Sequence, residues 1–238
     1  MVSERTLERV ALMERALRLT PAFAKWPASA MSRLLDLSKL GRYSRGEFIF
    51  SERDTLEALA IVSGHITIGR TPAGGSRTTV ALLGPGFLIG ITRALDPNDD
   101  EVYDYEALDD VTVVQLPSPL LLEILDQTPA LWRDMAWMLL KQQREALNTL
   151  MKQFVGSLPH RLAGIIERLS MLYGSHGAGE PRALPRLTQE DLAAMLHVSR
   201  QSVNKDLQAL VSRGAISIDY NTITILDMAE LKKAAIQT

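Results

Sequence analysis

Cysteine is absent from the 238 residues. That excludes disulfides, a thiolate nucleophile, a cysteine-ligated iron–sulfur cluster and a cysteine zinc finger. It also leaves the redox compartment unreadable. Long apolar runs are missing too: no stretch approaches the ~18 uncharged residues of a membrane span. The first twenty residues interleave Glu4, Glu8 and Glu14 with Arg5, Arg9, Arg15 and Arg18. They lack the apolar stretch of a signal peptide and are too acidic for a transit peptide, so a cytoplasmic protein with no membrane partner is expected. An excess of one charge is lacking as well. The net charge of −2 argues against a uniformly basic nucleic-acid coat. Residues 1–157 hold 17 Lys and Arg against 20 Asp and Glu, and residues 158–238 hold nine against eight, so DNA binding would have to rest on a local patch.

What remains is a soluble globular composition, 46% hydrophobic and 23% charged, with room for one large or two small domains. Four stretches differ in pattern. The first, to about Leu40, is helical: Leu7, Val10, Ala11, Met13, Ala16 and Leu17 recur at helical spacing, Thr20-Pro21 stops that helix, and a short one follows over Ala28–Leu37. The second, Gly41 to Pro117, reads as short strands punctuated by glycines, with a hairpin signal at Gly74-Gly75, and implies a small barrel or jelly roll.

The third stretch is helical. Pro119 suits a helix start, Pro129 restarts it, and Leu131 to Val155 form one pattern of about seven turns. Leu140, Leu147 and Phe154 repeat every seven residues, with Ala136, Gln143 and Leu150 as companions, which is the a/d spacing of a two-stranded coiled coil. The same helix is apolar at Met135, Leu139 and Met151, so more than one face needs cover. Gln142, Gln143 and Asn148 fit either effector contacts or register-setting polar positions. Gly156-Ser157-Leu158-Pro159 marks a boundary, giving segments 1–128, 129–157 and 158–238.

The fourth stretch carries the chemistry. Arg161 to Tyr173 is amphipathic, Gly174 to Pro185 is a loop, and Ala215 to Leu226 alternates Ile216, Ile218, Ile223 and Ile225 around Tyr220-Asn221 as a hairpin. Between them, Thr188 caps one short helix with Glu190 and Asp191 in its positive first turn. His197-Val198 make a turn, and Ser199 caps a second helix whose Val203, Leu207 and Leu210 share a buried face. The opposite face presents Arg200, Gln201, Asn204 and Lys205, with Ser202 nearby. Arg donates two bonds to guanine, Gln pairs bidentately with adenine, and Lys205 reaches a guanine or a phosphate. An amphipathic helix before the pair and a hairpin after it complete a winged helix-turn-helix, an α+β architecture. Double-stranded DNA is the expected partner of Thr188, Ser199, Arg200, Gln201, Ser202, Asn204 and Lys205.

These residues carry a resemblance. Leu187-Thr188-Gln189-Glu190-Asp191-Leu192-Ala193, then Val198 to Asn204, then Ile223-Thr224-Ile225-Leu226-Asp227 resemble the DNA-binding domain of the cyclic-AMP receptor/fumarate-nitrate regulator (CRP/FNR) family of bacterial transcription factors. Gly46-Glu47-Phe48-Ile49-Phe50, Ile61-Val62-Ser63-Gly64 and Leu82-Leu83-Gly84-Pro85-Gly86 resemble its β-roll sensor. The resemblance implies a β-roll sensor domain, a long dimerisation helix and a C-terminal winged helix. It also implies a homodimer on a two-fold-related operator, and base reading by Arg200, Gln201 and Lys205. RNA polymerase stands as a further candidate partner. His197 departs from the family, which has Gly at this turn; a left-handed His is tolerated at modest cost.

The sensor half lacks what cyclic-nucleotide-binding relatives carry. After the Gly-Pro-Gly turn, where an acid should meet the ribose, the chain reads Phe87-Leu88-Ile89-Gly90. Where an Arg should meet the cyclic phosphate, near Glu101 to Tyr105, none is found, and the nearest base is Arg93. Residues 96–110 instead hold eight acids and no base, a lining that repels an anion. An effector other than cyclic AMP is therefore expected, with Leu88, Ile89, Gly90, Tyr103 and Tyr105, and Trp132 or Trp137, as candidate lining. No cofactor and no metal are assigned. Asp96 to Glu101 lacks EF-hand spacing, and His65 is the only histidine of the sensor half that could ligate haem. The alternative held beside this reading is a cyclic-nucleotide-responsive or haem-based gas-sensing regulator of the same family. An enzyme is not expected, because His160, His176 and His197 all lie in the DNA-binding half and no nucleophile–His–acid arrangement is visible.

Overall fold

The computed structural model describes residues 4–51, 57–70, 78–96, 103–154, 156–172, 182–184, 187–219 and 222–235. The chain forms two compact units, the first running to Glu145 apart from Ser76–Ala81, the second from Ala146. Gly74-Gly75 and residues 97–102 of the acidic run lie outside the described residues.

The first unit opens with helices α1 (Glu4–Leu19) and α2 (Ala28–Leu35). The helical stretch expected to reach Leu40 ends sooner, because β1 begins at Lys39. Strands β2 (Phe48–Ser51), β3 (Glu57–Ser63), β4 (Ile66–Arg70), β5 (Thr78–Leu83) and β6 (Leu88–Ile89) follow, then α3 (Ile91–Leu95), β7 (Asp104–Ala107) and β8 (Val111–Pro117). One sheet has the order β1-β8-β3-β6, with β1 antiparallel to β8 from Lys39↔Gln115 to Tyr43↔Val111. The other runs β2-β7-β4, with β5 beyond.

Alternation along the strands sorts the core into two layers. Leu59, Ile61, Ile89, Val111 and Val113 of the first sheet meet Ile66, Tyr105 and Ala107 of the second, between the sheets. Ala58, Ala60, Leu88, Val114 and Leu116 face the other way, onto α1, α2, α4 (Ser118–Gln127) and the long α5 (Pro129–Phe154). Each fully buried aliphatic side chain contributes ~1.5–3 kcal/mol, so this double-sided sheet anchors the unit. At the β3–β4 turn Gly64 has φ +80°, and a Cβ there would stand 2.3 Å from the Asp110 carbonyl oxygen. Asp109 closes the same turn: its carboxylate accepts from the His65 backbone N–H and meets the His65 ring Nδ1, each at 2.7 Å.

The boundary between the units falls inside α5, which has two faces. Leu131, Met135 and Met138 are buried in the core of the first unit. Trp137, Leu140, Leu147 and Met151 are exposed, at 66, 63, 55 and 61%. Ala136 and Gln143 are exposed as well, while the side chains of Leu150 and Phe154 lie outside the described ones.

The second unit holds α6 (Leu158–Leu172), β9 (Arg182–Leu184), α7 (Gln189–Leu196), α8 (Arg200–Ser212), β10 (Ile216–Asp219), β11 (Thr222–Ile225) and α9 (Met228–Ala235). The hairpin pairs Ile216 with Ile225, and β9, inside the stretch expected as loop, adds a third strand through Ile223↔Leu184.

Candidate DNA-reading site and sensor core

Helix α7 starts because Thr188 and Asp191 form a capping box. Thr188 Oγ1 accepts from the Asp191 N–H at 3.1 Å, and Asp191 Oδ2 accepts from the Thr188 N–H at 2.8 Å. Such a cap is worth ~1 kcal/mol. The helix stops at His197, with φ 55° and ψ 45°, the single positive-φ non-glycine among the described residues. Helix α8 restarts the chain, with Ser199 Oγ accepting from the Ser202 N–H at 3.2 Å. Val203, Leu207 and Leu210 are buried beneath α8, which fixes its rotation. Arg200, Gln201, Asn204 and Lys205 consequently stand exposed on one face, joined by Gln208 one turn on.

The expected residues are thus brought together, but they divide by what their polar atoms already do. Thr188, Ser199 and Ser202 spend hydrogen-bonding capacity on caps, and Thr188 Oγ1 also donates to Asp191 Oδ2 at 2.8 Å. Arg200 pairs with Glu190, Nη1 to Oε1 at 2.9 Å, and its Nε–H donates to Gln189 Oε1 at 3.3 Å. Gln189 Nε2 in turn donates to Asn204 Oδ1 at 3.1 Å. Sequence periodicity alone gives Glu190 only a helix-dipole role and Gln189 none; their reach to α8 needs the crossing of the two helices.

In the sensor core the candidate lining residues separate. Ile89 and Tyr105 are buried between the sheets, with Tyr103 packed against them. Leu88 points to the helix side, Gly90 turns the chain with φ 81°, and Ile91 is buried beyond it in the helix-side core. Trp137 is exposed, and Trp132 donates its Nε1 hydrogen to Asp126 Oδ1 at 3.0 Å. Gln142 has a role that periodicity left open. With its amide oriented to satisfy both partners, Nε2 donates to the Leu88 carbonyl at 3.1 Å and Oε1 accepts from the Leu88 N–H at 2.9 Å. No group of three His, Cys, Asp or Glu that could hold a metal occurs among the described residues, and no helix there is long and apolar enough to cross a membrane.

A double-sheet sensor unit, a long helix with an exposed apolar face and a helix pair with a three-stranded wing define the class: a sensor-linked winged-helix DNA-binding regulator. Residues 40–128 match the profile of the cyclic nucleotide-binding domain, and residues 160–234 that of the Crp-like helix-turn-helix domain. The chain is 25% identical over 224 residues to the CRP-like cAMP-activated global transcriptional regulator of Mycobacterium tuberculosis, covering 94% of this chain and 100% of that one. It is 29% identical over 194 residues to the cyclic AMP receptor protein of Thermus thermophilus, covering 81% and 86%. A crystal structure of a CRP/FNR-family transcriptional regulator from Thermus thermophilus superposes with a TM-score of 0.66 at 26% identity, covering 83% and 98%. The chain belongs to the CRP/FNR family of transcription regulators, with a helix-turn-helix DNA-binding domain and an effector-binding domain.

Proposed function

We propose that the protein is a cytoplasmic, homodimeric regulator that reads a two-fold-related operator through Arg200, Gln201 and Lys205 and answers to an effector other than cyclic AMP. The observation carrying the DNA reading is the split of α8: Val203, Leu207 and Leu210 buried, with Arg200, Gln201, Asn204 and Lys205 exposed together. A helix so seated offers base-reading side chains to the major groove. The dimer rests on the exposed Trp137, Leu140, Leu147 and Met151 of α5, spaced three, seven and four residues apart so that they share one face of the helix. A second copy of the same face covers them. RNA polymerase is the candidate partner once the dimer is on DNA, and catalysis has no part in this reading.

The effector proposal rests on chemistry. Two of the relatives are named for cyclic AMP, yet this chain carries Ile89 and Ile91 on either side of Gly90 and no arginine in 96–110. The described hydrophobic cluster between the sheets is mainly aliphatic, with the aromatics Tyr43, Phe87, Tyr103 and Tyr105. A cyclic phosphate there would be desolvated without a bidentate partner, whereas an apolar or aromatic molecule matches the lining. Two measurements test the proposal: gel shift of genomic fragments with wild type and Arg200→Ala, and thermal shift against a metabolite collection. Fragment-selective retardation lost in the variant, and a raised melting temperature with an uncharged ligand, are expected. Equal retardation of all fragments by both proteins would overturn it.

A further inference from the structure

The hydrogen bonds of Arg200 carry a second assignment, which rests on the reading above that Arg200 contacts a guanine. A guanidinium offers five N–H donors in a planar fork. Glu190 takes one from Nη1 at 2.9 Å, and Gln189 takes the Nε–H at 3.3 Å. Three donors remain, both on Nη2 among them, and a guanine edge needs two. Arg200, Glu190, Gln189 and Thr188 line one cleft of about 110 Å³ with the apolar Leu187, Leu207, Ile218 and Ile223, so the acceptors within it come from the first turn of α7. Gln189 is itself braced by Asn204, so the first turn of α7 grips two residues one turn apart on α8.

We propose that Glu190 is a positioning and specificity-determining residue, aiming the guanidinium of Arg200 at a base rather than at a phosphate. Two physical effects favour it. Arg200 and Glu190 side chains are 65 and 60% exposed, so an unbraced Arg200 would sample many rotamers and lose that freedom only on binding. Glu190 also sets a negative charge beside the guanidinium, which weakens its pull on phosphates of any sequence while leaving donors for a guanine.

The test uses the full-length protein. Binding-site selection from random duplexes defines the preferred half-site, and fluorescence anisotropy then compares that duplex with one lacking the guanine. Arg200→Ala is expected to lose the preference at one guanine per half-site. Glu190→Ala is expected to lower the preference at that same position about fivefold, in line with the modest strength of an exposed pair, while affinity for scrambled DNA does not fall. Glu190→Gln keeps an acceptor oxygen and is expected to retain most of the preference. A wild-type preference in Glu190→Ala, or an equal loss of affinity for every sequence, overturns the assignment. If Arg200→Ala keeps the guanine, the base-reading role itself fails, and that result is separate from any behaviour of Glu190. Urea unfolding of Glu190→Ala, its midpoint expected to fall only slightly through the lost helix-dipole charge and exposed pair, shows that the change acts on recognition and not on folding.

Discussion

Arg161 on α6 donates from Nη2 to the carbonyl of Leu196, the last residue of α7, at 2.6 Å. The two residues are 35 apart in sequence. A carbonyl at a helix C-terminus carries partial negative charge, and a guanidinium is its natural partner. The bond ties the helix before the motif to the turn inside it, where the chain must reverse into α8.

Arg161→Ala should therefore cost ~1.5–3 kcal/mol, the range for a hydrogen bond from a charged group. Urea unfolding measures this. A midpoint equal to wild type would show that the bond is satisfied equally well by water.

His197→Gly should have the opposite sign. His197 holds a left-handed conformation at φ 55°, ψ 45°. Glycine reaches that region without strain, so a gain of about 0.5–1 kcal/mol is expected, net of the greater freedom glycine has when unfolded. A lower melting temperature for the variant would mean that the imidazole contributes packing that outweighs the strain.

Arg200→Ala should weaken binding to the selected operator by ~1–3 kcal/mol and relax one guanine position. Anisotropy titrations on cognate and scrambled duplexes, at one stated salt concentration, decide it. Unchanged affinity for both would remove Arg200 from the readout.

Leu147→Glu places like charges in the seam expected on α5. Leu147 is 55% exposed in the protomer, and an unpaired ion buried by a partner costs several kcal/mol. Sedimentation should show monomers, with operator binding lost because one half-site supplies half the contacts. A dimer that persists would place the interface elsewhere.

Isothermal titration of cyclic AMP into the apo protein should give no saturable heat at micromolar concentration. A phosphate without its bidentate partner loses several kcal/mol, and each 1.4 kcal/mol is tenfold in affinity. Micromolar binding would mean that Arg93, or a base outside residues 96–110, reaches the site.

The DNA-reading half was legible because its determinants are local. Thr188 and Asp191 lie three residues apart, Ser199 and Ser202 likewise, and Val203, Leu207 and Leu210 follow one helical stripe. The misses depend on partners far away. Lys39–Tyr43 is a strand because Val111–Gln115 lies beside it, and Arg182–Leu184 because β11 does. Leu88 and Ile89 are neighbours of one chemical type, yet pairing with Ala60 and Leu59 turns their side chains to opposite layers. On α5, heptad spacing finds Leu140 and Leu147. Trp137 and Met151 join the exposed face because the core claims Met135 and Met138, a choice that periodicity by itself does not make.

Strand β6 is two residues long and lies at the edge of its sheet. The Phe87 carbonyl bonds inward to the Ile61 N–H, so Leu88 turns its own N–H and C=O outward. An edge with free backbone groups is a template on which a strand from another molecule can grow. Gln142 occupies both groups at once, acting as a one-residue strand supplied by a helix. The long helix thereby covers this edge of the sensor sheet at Leu88, a second protection beside the shortness of the strand itself.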